Sequence, residues 1–360
     1  MTAAPTPTRA SDAAAAPGPA RESGWFGLLA AGIAFVLLAE FPMVRALVPV
    51  REPLQLVVPA LGACAVVGWW RGGSAALALL WGGFAGVRLW LPLSGDANSA
   101  VLAAGWAALL AGCFGLALLV SRSKRFLPVA GAAIGGALCL ATLVVVLRPS
   151  GPGALERVVA RTLAQRGADD QMAWQVARSR LEAQAGAAGD SASRAFLSDS
   201  ATRALLDATE ASVAALPRTA RTVLPATLAL QSLAALALAW GFWHRISRVR
   251  VGQALAPLRE FRFNDQLVWA VIAGLALVLL PGAEGFRGVG ANLLLFFGTL
   301  YALRGAGVLA WFVTPSRALV GGLAGVALLL LLRFGAVVAL GIVGIGDSWA
   351  DWRRRAARQA

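Results

Sequence analysis

Residues 288–313 read GVGANLLLFFGTLYALRGAGVLAWFV, an apolar run that carries a single charged side chain, Arg304. A helix of about 20 apolar residues crosses the hydrocarbon of a bilayer, and this run is long enough to do so. A charge inside such a run is costly and therefore needs a structural or functional reason. The stretch predicts a membrane-spanning helix and directs the search for a site to the last quarter of the chain.

The composition of the whole chain agrees with a membrane protein. Hydrophobic residues make up 58% of the 360 residues, charged residues 14%, and the mean hydropathy is +0.70. A soluble domain carries roughly 25% charged residues. The net charge of +14 comes from basic residues at the ends of apolar runs, which indicates cytoplasmic loops and contact with anionic lipid headgroups rather than with nucleic acid.

Further apolar runs divide the chain into two membrane halves. Since a helix satisfies its own backbone polar groups, we expect an all-α, polytopic transmembrane helical bundle of about eight to ten spans. Residues 318–345 are too long for one span and too short for two, and Arg333 marks their middle, so we favour two short helices that meet there. The predicted spans are residues 25–44, 53–70, 72–93, 98–120, 126–147, 222–243, 263–280 and 288–313, followed by this broken segment.

Residues 148–221 interrupt the apolar pattern. They hold eight of the eighteen acidic residues of the chain and ten arginines, within stretches rich in helix-forming residues. We expect a helical extracytoplasmic insertion. Two forms stay open, a hairpin that extends the flanking spans and a folded binding domain.

The charges of the short loops predict the topology of the chain. Arg122, Lys124 and Arg125 place the connection before residue 126 in the cytoplasm, and counting back places the amino terminus inside as well. The expected location is the cytoplasmic membrane of a bacterium. The predicted organisation is a disordered cytoplasmic tail (1–23), a first membrane half of five spans (24–147), the insertion (148–221), a second half of four to five spans (222–352) and a basic cytoplasmic tail (353–360).

The candidate site residues are the polar groups of the second membrane half. Tyr301 and Arg304 are three residues apart and share a helix face. For Arg304 we expect an acidic partner, first among Asp347 and Asp351, with Glu40 and Asp265 as alternatives. An arginine in this position either locks helix packing or contacts an anionic ligand. Arg333 is either the cation of a transporter-type site in an unwound helix or a turn residue between two half-helices, facing the cytosol or the exterior.

Two further patterns in residues 288–313 indicate contacts between helices. Asn292 is able to hydrogen-bond across helices. Gly298, Ala302 and Ala306 step by four along one face, where a neighbouring helix would approach closely.

The sequence offers no pattern for catalysis, for a metal or for a cofactor. Cys64, Cys113 and Cys139 lie in apolar runs without CxxC spacing, and the single histidine, His244, stands at the edge of a span. Zinc-protease, serine-hydrolase and phosphate-binding-loop motifs do not occur. We therefore expect a protein that is not an enzyme and holds no cofactor.

Several short motifs of the last third resemble a known family. They are PLREFRF (257–263), followed by Trp269, then NLL (292–294), LYALRG (300–305), GIGD (344–347) and DWR (351–353). Together these motifs resemble the YybS-like family of bacterial membrane proteins, a domain of unknown function. That family is in turn distantly similar to the substrate-binding membrane subunits of energy-coupling-factor vitamin transporters. The resemblance implies a polytopic membrane protein that binds a small molecule, with an energising protein partner.

Two functional hypotheses follow. The first is small-molecule binding or transport in the membrane, with Asn292, Arg304, Arg333 and Asp347 as the leading candidates. The second is a non-transporting membrane scaffold that docks envelope or division proteins on its basic inner loops and tail. Loss of ligand-dependent stabilisation on mutation would favour the first, and loss of partner capture would favour the second.

Overall fold

The computed structural model describes residues 25–40, 44, 47–91, 97–121, 125–147, 151–187, 199–312, 335–353 and 355. Within these residues every regular element is a helix and no strand occurs, so the predicted all-α class is confirmed. The helices are α1 (Trp25–Glu40), α2 (Leu54–Trp70), α3 (Ala75–Trp90), α4 (Ala97–Val120), α5 (Phe126–Leu147), α6 (Gly151–Ala187), α7 (Ser200–Ile246), α8 (Val268–Leu279), α9 (Arg287–Phe312) and α10 (Gly335–Ala350).

Membrane-spanning capacity is distributed over both halves of the chain. Among the described residues, four helical stretches are long and apolar enough to cross a bilayer, Ser99–Val120, Phe126–Leu147, Ser200–Ile246 and Glu284–Phe312. The remaining apolar helices are shorter, at 10–17 residues. Arg333, the predicted amino-terminal tail and residues 356–360 lie outside the described part of the chain.

The core lies where α2 and α7 meet. Helix α2 packs on α3, α4 and α7, and α7 also packs on α1, α5, α6 and α9. Fully buried side chains of this core include Leu56, Phe114, Leu236 and Trp240. The centre of the bundle is therefore a helix from each membrane half.

Hydrogen bonds to main-chain carbonyls define one end of the bundle, here called the basic end. Arg71, after α2, donates to the carbonyl oxygens of Leu118 at the end of α4 and of Val251 after α7. In the last turns of α7, Trp240 and Trp243 donate to the carbonyls of residues 253 and 249. The buried His244 ring contacts the carbonyl of residue 252 at 3.0 Å. These contacts fold the connection after α7 back against the bundle.

The opposite end, here called the hairpin end, carries the inserted residues. Helices α6 and α7 pack as an antiparallel hairpin in which Arg178 pairs with Glu182, Asp207 and Glu210. Pro217 of α7 rests on Gly167, where a β-carbon would overlap the proline ring. Of the two forms left open by the sequence, the structure has the hairpin.

The predicted boundary between residues 221 and 222 lies inside α7, which continues without interruption from the hairpin into the bundle. Two prolines lie within this helix, Pro217 and Pro225. The buried side chains of α7 begin at Ala220, close to the predicted border, but the helical backbone continues across it, so the change in hydropathy does not mark the end of a helix.

The span expected at residues 263–280 is shorter than its apolar run. A 3-10 turn occupies Asp265–Leu267 and the α-helix begins at Val268, ending at Leu279. The side chain of Asn264 accepts a hydrogen bond from the backbone N–H of Gln266 and so caps the turn. Because of this cap, the α-helix begins only at Val268, and Asp265 lies in the turn, where it faces α9.

Candidate functional site

Four of the predicted polar residues, Tyr301, Arg304, Asp347 and Asp351, lie at the basic end. Arg304 of α9 donates from Nε to Oδ2 of Asp347 of α10 at 3.0 Å, and Arg353 donates to the same oxygen at 2.7 Å. The side chains of Arg304, Asp347 and Arg353 are 3%, 0% and 4% exposed. Two arginines thus share one buried carboxylate.

Asp265 is the second carboxylate on Arg304. It pairs with an outer nitrogen of the guanidinium, although its own side chain is largely exposed. The Tyr301 hydroxyl donates to the carbonyl of Asp265 at 3.4 Å, and the Phe263 ring lies 5.7 Å from the Arg304 guanidinium carbon. Arg304 therefore ties α9 to α10 and to the segment that precedes α8.

Asp351 lies apart from Arg304. It forms an ion pair with Arg262 at 2.7 Å, and each side chain is about one third exposed. Asp351 has a left-handed backbone conformation, with φ of 44°, directly after α10. Arg353 also donates to the carbonyls of Arg259 and Phe261, so the end of α10 and the connection after α7 lie at the same end of the bundle.

These charges form a clamp between three segments. Each of the arginines 262, 304 and 353 has an acidic partner. Within the clamp, Oδ1 of Asp347 and Nε of Arg353 are buried and have no hydrogen-bond partner among the described residues. Of the candidates, Tyr301, Arg304, Asp347 and Asp351 are brought together here, and Asn292 is not.

Close backbone contact between α9 and α10 brings the clamp together. A β-carbon on Gly305 would overlap the Leu340 carbonyl, and one on Gly344 would overlap the Tyr301 carbonyl. Gly298, which the sequence pattern placed on the close-packing face, has open space around its α-carbon. The crossing therefore uses the face of Tyr301 and Gly305, which meets Gly344 of α10.

Asn292 links α9 to α7 nearer the hairpin end. Its side-chain oxygen accepts from the N–H of Ala226 at 2.8 Å, and its amide donates to the carbonyl of Thr222 at 2.7 Å. In an unbroken α-helix these two backbone groups would bond to each other. Asn292 thus supports the turn of α7 that contains Pro225.

A cavity of about 330 Å³ lies at the hairpin end, between the bundle and α6. It is bounded by the connection before α2, by the first turns of α2 and α4, and by one face of α6. Its polar lining residues are Arg51, Glu52, Gln55, Ser99, Thr162, Gln165, Arg166 and Asp169.

Three hydrogen-bonded or ion-paired contacts fix the connection that lines this cavity. Gln231 of α7 bonds both backbone groups of Val50, at 3.1 and 2.6 Å. Arg166 donates to the carbonyl of Pro49 at 3.2 Å, and Glu52 pairs through one oxygen with Arg88. The connection before α2 is thereby fixed to three different helices.

Two buried polar atoms of the lining lack a hydrogen-bond partner among the described residues. They are Nε of Arg51, a donor, and Oε1 of Glu52, an acceptor. Buried polar atoms are nearly always hydrogen-bonded, so a donor and an acceptor left over beside a cavity indicate a site for a bound molecule.

The sequence analysis did not select any residue of this cavity. The available signal was the pair Arg51-Glu52 between two apolar runs, next to Pro49 and Pro53. A charged pair in a short connection is common at the membrane surface, and its partners on α6 are more than 100 residues away. No grouping of three or more His, Cys, Asp or Glu side chains suited to a metal ion occurs in the described ranges, and the three cysteines are free.

Comparison with known proteins gives one family match. Residues 190–348 match a family described as "Predicted membrane protein (DUF2232)". The match begins between α6 and α7 in the sequence and ends within α10, so it includes Arg304, Asn292 and Asp347 but not the connection that lines the cavity. No curated protein and no solved structure matches the chain.

Proposed function

We propose that this membrane protein binds a small polar molecule in the cavity at its hairpin end. The observation that carries the proposal is the pair of unpartnered buried atoms, Arg51 Nε and Glu52 Oε1, in two residues that line that cavity. Small-molecule sites are concave, with volumes of about 300–1,000 Å³ and a few convergent polar groups. The cavity meets both conditions at the lower end of the size range.

The proposal places the binding site on the extracytoplasmic side. The basic end carries Arg71, Arg125, Arg245, Arg248, Arg250, Arg259, Arg262 and Arg353, and an excess of arginine favours the cytoplasmic side. The hairpin end then faces outward, and the basic end faces anionic lipid headgroups. The clamp of Arg304, Asp347 and Arg353 closes the cytoplasmic end of the same bundle.

The resemblance to the YybS-like family supports small-molecule binding, since that family is similar to substrate-binding membrane subunits of transporters. Movement of the bound molecule across the bilayer would require an energising partner on the cytoplasmic side. The exposed arginines of the basic end, Arg248, Arg259 and Arg262, outnumber the exposed acids Glu260 and Asp265 and offer such a partner a net positive surface.

A melting-temperature screen of the purified protein against a library of small polar metabolites tests the proposal. A ligand that binds the folded state raises the melting temperature. We expect at least one compound to do so, and we expect the rise to disappear in Arg51→Gln and Asp169→Asn. The control is Arg161→Gln, an exposed arginine of α6 outside the lining. A rise that persists in both cavity variants, or no rise with any compound, would contradict the proposal.

A scaffold for envelope or division proteins is the second candidate. The observation that favours it is the length of α6 and α7, 37 and 47 residues, which carries the hairpin beyond the apolar part of α7. A deletion that shortens both arms of the hairpin should then abolish the cross-linking of this protein to its partner in cells. Ligand binding in the cavity should remain. Unchanged cross-linking would remove this candidate.

A further inference from the structure

The charges of the cavity wall are balanced. Two arginines, Arg51 and Arg166, face two carboxylates, Glu52 and Asp169. The remaining polar side chains of the lining are neutral amides and hydroxyls. A wall with no net charge offers little to a multivalent anion or to a simple cation, because each would meet a like charge as well as an opposite one.

The unpartnered atoms show what a ligand has to provide. Arg51 Nε needs an acceptor and Glu52 Oε1 needs a donor. Both belong to charged groups, and hydrogen bonds are strongest when both partners are charged. The matching ligand carries an anionic acceptor and a cationic donor in the same molecule.

The two carboxylates of the wall come from different segments. Glu52 follows Arg51 in the connection before α2, and Arg166 of α6 donates to the Val48 and Pro49 carbonyls of the same connection. Asp169 is exposed on α6, one turn beyond Arg166 and towards the hairpin tip. An extended ligand can therefore place its anion against Arg51 and its cation against Glu52 or Asp169.

We propose that the occupant of this cavity is a small zwitterion, of the class of free amino acids and dipeptides, with its carboxylate on Arg51 and its ammonium on the carboxylates of Glu52 and Asp169. This inference rests on the proposed function and adds the chemical class of the ligand. A volume of about 330 Å³ suits an occupant of this size and is small for a nucleotide or a vitamin-sized cofactor.

Isothermal titration with matched ligands tests the class. The probes are the common L-amino acids and simple dipeptides such as glycylglycine, then two analogues of the tightest binder, one without the ammonium group and one without the carboxylate. For leucine these would be 4-methylpentanoate and 3-methylbutylamine. We expect each analogue to bind at least about tenfold more weakly, because a hydrogen bond to a charged group corresponds to roughly a ten- to hundredfold change in affinity.

Two variants assign the orientation. Arg51→Gln should weaken the zwitterion at least tenfold but leave the binding of the amine analogue unchanged, and Asp169→Asn should weaken the zwitterion but leave the carboxylate analogue unchanged. The variant Arg161→Gln should change neither. Both cavity variants keep a polar side chain of similar size, and an unchanged melting temperature without ligand confirms that they fold.

The outcomes separate this inference from the proposed function. If an analogue with one charge binds as tightly as the zwitterion, or if the library yields only sugars, anions or amines as cavity ligands, the zwitterion assignment is wrong and small-molecule binding stands. If no compound of either screen binds in the cavity, both are wrong.

Discussion

Arg304 and Asp347 lie 43 residues apart and form a buried ion pair, with Nε to Oδ2 at 3.0 Å and side-chain exposures of 3% and 0%. Asp347 also receives Arg353, so one carboxylate neutralises two arginines. Desolvating charges is costly, and such a group is stable only while its partners are present. The pair therefore makes the carboxyl-terminal helix a required part of the fold.

Removal of this carboxylate should destabilise the protein strongly. We expect Asp347→Ala to lower the free energy of unfolding by about 3–5 kcal/mol, because it leaves two buried arginines without their shared partner. Thermal unfolding in detergent measures the effect. The matched control is Asp351→Ala, four residues later, where a pair with Arg262 that is about one third exposed should contribute about 1 kcal/mol or less. Equal losses in the free energy of unfolding for the two variants would show that burial does not determine how much an ion pair of this cluster contributes to stability.

The glycine crossing of α9 and α10 should tolerate no side chain. We expect Gly305→Ala and Gly344→Ala to lower the melting temperature, with a cost of about 1–3 kcal/mol, because each added β-carbon overlaps a backbone carbonyl that cannot move alone. Gly298→Ala, on the same helix but with open space, serves as the control. A drop for Gly298→Ala as large as for Gly305→Ala would place the crossing elsewhere.

Asn292 should stabilise the proline-containing turn of α7. Asn292→Ala removes the bonds to Ala226 and Thr222, and we expect a loss of about 1–3 kcal/mol from the unsatisfied backbone groups. Thr299→Ala is the comparison, since its hydroxyl bonds only to Leu295 of its own helix among the described contacts. Thermal unfolding measures the stability of the two variants. Similar stabilities would contradict a bridging role of Asn292 between α9 and α7.

The packing of α6 on α7 in the hairpin should depend on the absence of a side chain at Gly167. We expect Gly167→Leu to separate α6 from α7, because its side chain would occupy the position of the Pro217 ring. Spin labels on cysteines at positions 180 and 204 report the distance between the two arms. Ala168→Leu, at an exposed neighbouring position, should leave that distance unchanged. An unchanged distance in Gly167→Leu would mean that the arms pack through other contacts.

The carboxyl terminus should lie in the cytoplasm. Arg353 donates to the carbonyls of Arg259 and Phe261, within the arginine-rich connection that the loop charges place inside. A reporter fused after Ala360 should therefore be active only in its cytoplasmic form. A second fusion in the hairpin, after Ala187, should give the opposite signal. Extracytoplasmic activity at Ala360 would reverse the assignment.

The sequence by itself determined the all-α class of the protein, the approximate positions of the apolar helices and the helical nature of residues 151–187 and 200–221. Hydropathy and helix propensity are local properties, so a window of about 20 residues contains the information. The sequence also indicated, for the same reason, that a charged Arg304 in an apolar run is costly in free energy. It limited the candidate acidic partners of Arg304 to a few residues.

Only the tertiary structure decided which of those acids meet Arg304, where α9 and α10 cross, and that a cavity exists beneath the hairpin. Asp265 and Asp347 reach Arg304 from opposite sides along the chain, while Asp351 turns to Arg262. The cavity is assembled from residues 49–55, 99–103 and 162–169. Contacts between segments so distant depend on how whole helices pack, and that packing is not encoded in any single stretch of sequence.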